Sequence, residues 1–92
     1  LQNVPNPFSS STTIVYSVPS VDGRQRTAVA LSIYDVTGRL VRTLVDGEQE
    51  PGFHSATWDG KESDRREVAA GLYFYRLTCG DSVETRKMVA VR

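Results

Sequence analysis

The sequence predicts an all-β domain, an immunoglobulin-like antiparallel β-sandwich of about seven strands. Three observations carry this reading. Apolar and polar residues alternate with period two over several short runs. Turn-forming residues separate those runs at intervals of about 8–12 residues. No apolar period of 3.6 residues persists over a helix-length window.

The elements follow in chain order. LQNVPNPFSSS, 1–11, reads as a linker and a turn leading into the sandwich, because Pro5 and Pro7 each fix φ and push the preceding residue toward an extended shape. Phe8 is its one bulky apolar residue and is expected to cap the core edge. TTIVYSV, 12–18, is β-branched and alternating, with Ile14, Tyr16 and Val18 on one face. A polar turn around Asp22-Gly23 follows. AVALSIYD, 28–35, directs Val29, Leu31 and Ile33 inward, and Gly38 of Thr37-Gly38 is free to take positive φ in a tight hairpin. LVRTLV, 40–45, returns, and DGEQEPG, 46–52, breaks it with two glycines and a proline. FHSATWD, 53–59, sets His54, Ala56 and Trp58 on one face, and GKESDRRE, 60–67, is a charged loop. VAAGLYFYRLT, 68–78, gives a short strand, a kink at Gly71 and a long strand. Gly80-Asp81 turns the chain into the last strand, 82–92. Residues 12–92 thus form a single domain in which two sheets pack about 10 Å apart. The Cys…Trp…Cys spacing of antibody domains is absent, so the likeness to them is architectural.

A chain of 92 residues suits one core and leaves little room for a deep cleft. Eleven Lys and Arg balance eleven Asp and Glu. Residues 1–46 hold four basic and three acidic side chains, and residues 47–92 hold seven and eight. No basic face is concentrated, so nucleic acid is not an expected partner. No apolar run approaches the roughly 20 residues a membrane-spanning helix needs. No charged-then-apolar leader opens the sequence, and Leu1 runs straight into a Pro/Ser stretch, as expected of a piece of a longer chain. The single cysteine, Cys79, excludes an internal disulfide and a multi-cysteine zinc site.

Few residues here suit catalysis. His54 is the only histidine, and on an alternating strand it reads as a partly buried polar residue. Cys79 ends a strand with nothing in the sequence to stabilise a thiolate. Asp59, Glu62, Asp64 and Glu67 raise the question of calcium, but Lys61, Arg65 and Arg66 interrupt them and Gly60 is misplaced for an EF-hand-type loop. A solvated, self-neutralising loop is the simpler account. Asp81-Ser82-Val83 resembles a three-residue O-glycosylation acceptor of some Bacteroidetes-type bacteria, but a plain turn is the favoured account. No phosphate loop or triad is present, so no enzyme, cofactor or metal is expected. In GLYFYRLTCG, 71–80, period two puts Tyr73, Tyr75 and Leu77 on one face and Leu72, Phe74 and Arg76 on the other. In so small a domain these aromatics are expected to pack.

Several stretches carry a family resemblance. PNPF, YDVTGR, TWDG, AAGLYFYRL and RKMVAVR occur in this order across nearly the whole chain. Together they resemble the C-terminal sorting domains of type IX secretion cargo and the related immunoglobulin-like domain of the flagellar hook-capping protein. In the loop after TWDG, where such domains usually carry glycine, this chain has Arg65.

The resemblance implies a non-catalytic β-sandwich. Pro5, Asn6 and Pro7 would stiffen the join to an upstream cargo domain, and Gly38 would close the hairpin after Asp35. Trp58 would anchor the core, with Asp59-Gly60 as the turn that follows. Gly71 would permit a close backbone approach before Tyr73 and Tyr75. Lys87, Met88, Val89, Val91 and Arg92, on the last strand, would be what outer-membrane export machinery reads, by adding a strand to an exposed sheet edge. The implied route is through the periplasm to the medium or cell surface, with the isolated domain a monomer. The alternative is a structural module of a flagellar hook-cap or other surface assembly. A third reading, a carbohydrate-binding accessory module, requires Phe53 or Phe74 to face solvent in a flat row.

Overall fold

Alternation with period two builds six strands among the described residues of the computed structural model, which are 3–20, 23 and 26–91. They are β1 (Thr12–Val18), β2 (Thr27–Asp35), β3 (Leu40–Gln49), β4 (Gly52–Trp58), β5 (Gly71–Cys79) and β6 (Ser82–Ala90). One sheet pairs β1 with β4; the other has the order β3-β2-β5-β6, and every pairing between strands is antiparallel. No helix occurs among the described residues. The expected sandwich is therefore present, with one strand fewer than the sequence suggested.

The missing strand and the shifted boundaries have physical causes. Val68 is buried and its N–H donates to Gly60 O, so 68–70 spans from loop to β5 and joins no sheet. β3 runs past the expected break at Asp46, because Asp46, Gly47 and Glu48 pair with Ala30, Val29 and Ala28. Two register shifts, between Leu31 and Ser32 and between Ile33 and Tyr34, interrupt the β2/β3 ladder. Such bulges break strict alternation, which is why Val41 is buried while Leu44 and Val45 are both half-buried. β6 ends at Ala90, and Arg92 lies outside the described residues, as do Leu1 and Asp22.

The inward faces meet in one core. Ile14, Tyr16 and Val18 of β1 and Trp58 of β4 pack with Val29, Leu31 and Ile33 of β2, Tyr73, Tyr75 and Leu77 of β5, and Met88 and Ala90 of β6. Trp58 is 0% exposed and lies between Phe8 and Tyr73, with ring centroids 5.5 Å away on each side. Both ring pairs are tilted, the arrangement favoured by aromatic quadrupoles. Its indole Nε1 donates to Lys61 O at 2.9 Å. The buried tyrosines keep their hydroxyls partnered: Tyr73 donates to Ala69 O at 2.7 Å and Tyr16 to Gln49 at 2.6 Å. Burial raises the phenol pKa of Tyr16 and Tyr75 above the ordinary value, so both stay neutral at physiological pH.

Two loops share one turn. In 35–39, Asp35 N–H donates to Arg39 O, Gly38 N–H donates to Asp35 O, and Gly38 takes φ +86°. This is a three-residue hairpin loop closed by a left-handed residue. In 62–66 the pattern repeats, with Glu62 N–H donating to Arg66 O and Arg65 N–H to Glu62 O. Arg65 takes the glycine place at φ +72°, the one positive φ of a non-glycine among the described residues. The departure at Arg65 thus leaves the turn unchanged and adds strain of about 1–2 kcal/mol.

Part of that strain is recoverable, since glycine relieves it but loses more chain entropy on folding. Arg65→Gly is expected to stabilise the domain by about 0.5–1 kcal/mol, raising Tm by about 2–8 °C in thermal unfolding followed by circular dichroism. An unchanged or lower Tm would mean that the Arg65 side chain contributes as much as its backbone costs.

Candidate functional site

Of the residues expected to be read by a partner, Lys87, Met88 and Val89 lie on β6 and Val91 just beyond its end, and the lead-in segment reaches the same strand. β6 is an edge strand, hydrogen-bonded to β5 on one side. On its other side Asn6 Oδ1 accepts the Val89 N–H at 2.9 Å, Phe8 N–H donates to Val89 O at 3.0 Å, and Val91 N–H donates to Phe8 O at 2.8 Å. Pro7 has no N–H to offer such a ladder; the Asn6 side chain supplies a contact of its own. At the other end of the segment, Val4 exchanges two backbone hydrogen bonds of 2.8 Å with Thr13 on β1. Asn3 and Thr12, both buried, hydrogen-bond each other at 2.9 Å, and each also donates to Pro5 O. Residues 3–8 therefore clasp β1 of one sheet to β6 of the other. Phe8, 2% exposed, fills the space between. Both the Val4-Pro5 and Asn6-Pro7 peptide bonds are cis.

This geometry places the expected recognition residues differently from one another. Lys87 and Val89 are exposed, whereas Met88 is 0% exposed and belongs to the core. Val89 and Val91 present side chains to solvent while the clasp takes up their backbone groups. Asn6 is the residue whose role the sequence did not disclose. The available signal was a carboxamide between two residues that cannot donate.

The remaining signature residues hold the fold. Asp59 Oδ1 accepts the Lys61 N–H at 3.1 Å and the Arg42 guanidinium at 3.0 Å, fixing the turn after Trp58. A Cβ on Gly60 would lie 3.2 Å from Ser10 O, so the Asp59-Gly60 turn and the lead-in segment are packed together. Gly71 has no neighbour within 4 Å of where a Cβ would stand. Close backbone approach is therefore not its reason; its φ of +152° is.

The candidate chemical groups are occupied elsewhere. His54 Nε2 lies 2.7 Å from Glu50 O, and its ring stacks on Tyr16. Burial pushes the Cys79 thiol pKa up, opposite to what a nucleophile needs. In the charged loop Asp59 pairs with Arg42, Glu62 with Arg39 and Asp64 with Arg66. Among the described residues no three His, Cys, Asp or Glu side chains gather where a cation could be held. Asp35 accepts the Thr37 hydroxyl and the Thr37 and Arg39 amides, which hold its carboxyl below the usual carboxylate range. Asp81-Ser82-Val83 is exposed at the β5/β6 hairpin. Phe53 is 77% exposed on β4 and Phe74 half-buried on β5, so they lie on different sheets and form no row.

If the clasp is part of the domain, its side chains should matter as core does. Phe8→Ala is expected to cost about 3–5 kcal/mol, and Asn6→Ala about 1 kcal/mol, both read by urea unfolding. A loss under about 0.5 kcal/mol for Phe8→Ala would show that residues 1–11 are only a linker.

Comparison with known proteins gives three results. The family model described as the FlgD Ig-like domain matches residues 19–82. The basal-body rod modification protein FlgD of Salmonella typhimurium and that of Salmonella typhi are each 43% identical to the chain over 53 residues, 58% of this chain and 23% of theirs. Among solved structures, PorZ of Porphyromonas gingivalis, described as an essential bacterial surface component of the type-IX secretion system, superposes with a TM-score of 0.64 at 19% identity. That match covers 99% of this chain and 11% of PorZ. Dimeric latent PorU of the same organism gives 0.72 at 22% identity, over 98% of this chain and 9% of PorU. These two likenesses are of fold. The chain spans about a quarter of the length of the FlgD relatives and about a tenth of the two solved chains.

Proposed function

The chain belongs to the FlgD Ig-like domain family, matched over residues 19–82, and on that premise we propose that it is a non-catalytic module of a larger exported protein. Its task in this reading is sorting. The folded domain directs a cargo in the same chain through type IX-like export, by way of the periplasm, to the outer membrane, cell surface or medium. Its partners are that cargo and the outer-membrane export machinery.

One observation carries the reading. The clasp ties the segment that would join a cargo to the last strand, through Asn6 and Phe8 on Val89 and Val91. A receptor on the solvent face of β6 would therefore meet its signal only when the junction has docked and the core around Trp58 has formed. In the FlgD, PorZ and PorU chains the matching part is a minor portion of the whole, which supports a module fused to something larger.

A second reading, a structural module making subunit contacts in a hook-cap or other surface assembly, draws on the 43% identity to FlgD. The two are separable by experiment. Deleting 84–92 is uninformative, because Met88 and Ala90 belong to the core and the domain would unfold. Instead, residues 1–92 are fused to the C-terminus of a reporter in a type IX-competent bacterium. The reporter is expected outside the cell, and Lys87→Glu, a change at an exposed side chain, is expected to reduce its export severalfold with the domain still folded by circular dichroism. Full retention of the unaltered fusion would refute sorting. Recovery of swimming when the domain replaces its counterpart in FlgD, without reporter export, would favour the structural module.

A further inference from the structure

The outer face of the larger sheet holds a cation that nothing answers. Inward burial of Val29, Leu31 and Ile33, of Tyr73, Tyr75 and Leu77, and of Met88 and Ala90 turns the alternate residues of β2, β5 and β6 outward. Those outward residues include no Asp or Glu, and the charged ones are Arg76 and Lys87. Lys87 has a partner of its own. The Arg76 side chain forms no hydrogen bond or ion pair among the described residues; its guanidinium lies 5.4 Å from the centre of the Tyr34 ring. That stacking holds the group in place and leaves its N–H edge free. Between Arg76 and the 35–39 hairpin lies a cleft of about 280 Å³. Tyr34 and Phe74, opposite each other on β2 and β5, give it aromatic surface. Val36 and Gly38 of the hairpin bound one end, Arg76 and Thr85 the other. Asp35 also lines the cleft, but its carboxylate is engaged. Oδ1 accepts the Thr37 hydroxyl and the Thr37 and Arg39 amides, and Oδ2 accepts Arg39 Nε at 3.2 Å.

We propose that this cleft docks an extended segment of a protein partner, one that carries a bulky apolar residue and, two positions along, an aspartate or glutamate. Each part of that description answers something the cleft leaves unmet. The volume falls just short of the roughly 300–1,000 Å³ of pockets that enclose a free small ligand, which suits side chains presented by a macromolecule. Val36, 65% exposed, with the half-buried Tyr34 and Phe74, offers apolar contact to one side chain. The guanidinium fork meets a carboxylate through two parallel hydrogen bonds. Phe74 and Arg76 stand two residues apart on one strand, about 6.6 Å, and alternate side chains of an extended partner have the same spacing. A basic segment is repelled by Arg76. A wholly apolar one would desolvate the cation without pairing it. The clasp and the β6 edge take no part in this contact. The proposal therefore goes beyond the sorting role and does not depend on it.

The test is proton–nitrogen correlation NMR of the 92-residue chain, titrated with two blocked peptides, TFTDT and TFTNT. Both are taken to about 10 mM, the range suited to a contact of one or two side chains. TFTDT is expected to shift the amide signals of Tyr34, Val36, Gly38, Phe74, Arg76 and Thr85. TFTNT is expected to bind about fivefold or more weakly. Arg76→Gln is expected to abolish the difference between the peptides, with the remaining spectrum showing an intact fold. Val36→Glu, at the exposed hairpin, is expected to remove TFTDT binding without touching the sheet. Unmoved signals, equal binding of the two peptides, or a preference for TFTDT that survives Arg76→Gln would overturn the proposal. Tighter binding of free phenylpropionate than of TFTDT would do the same, by making the cleft a site for a small acid. So would shifts of these signals on concentrating the chain alone, which would assign the face to a second copy.

Discussion

The burial of Trp58 is the constraint on which the rest of the structure depends. Its ring touches Phe8 from the lead-in segment on one side and Tyr73 from the four-stranded sheet on the other. Its own strand belongs to the two-stranded sheet, and its Nε1 fixes the following loop through Lys61 O. Three parts of the chain far apart in sequence, around residues 8, 58 and 73, therefore meet at one side chain. Two paired strands are at best marginally stable in water by themselves, so β1 and β4 persist because their inner face is held against the larger sheet. Filling that contact with an aromatic cluster suits a chain of 92 residues, which has limited core to work with.

The clasp extends the same logic to the edges. Val4 pairs with β1 and Phe8 with β6, so residues 3–8 tie the two sheets together where no strand of either crosses. The buried polar groups of this segment are answered: Asn3 and Thr12 bond each other and both donate to Pro5 O. A polar set of this kind adds specificity of position more than net energy, since each bond replaces one to water. Its effect is to fix where the preceding chain leaves the domain. That link between junction and last strand is what makes a sorting module reading physically specific.

Much of the fold was legible because alternation is a direct consequence of strand geometry. Ile14, Tyr16 and Val18, then Val29, Leu31 and Ile33, then Tyr73, Tyr75 and Leu77 are inward in both sequence and structure. β3 was less legible, because two bulges place Val41, Leu44 and Val45 against the core out of step with period two. Bulges have no reliable signature in LVRTLV. The site was less legible still. The solvent-facing Lys87 and Val89 follow from alternation, as does the buried position of Met88 between them. The bond from Asn6 to Val89 N–H joins residues 83 positions apart and could be seen only in three dimensions. Arg65 is the converse case, a residue that breaks a local rule while the turn around it stays intact.

The central claim is that the lead-in segment is a structural part of the core around Trp58. Trp58 is the only tryptophan, so its fluorescence reports on that contact directly. The measurement is emission wavelength and acrylamide quenching for the 92-residue chain and for a chain beginning at Ser9. The account predicts blue, weakly quenched emission from the former, and red-shifted, readily quenched emission from the latter. The same spectrum and the same quenching in both would contradict it.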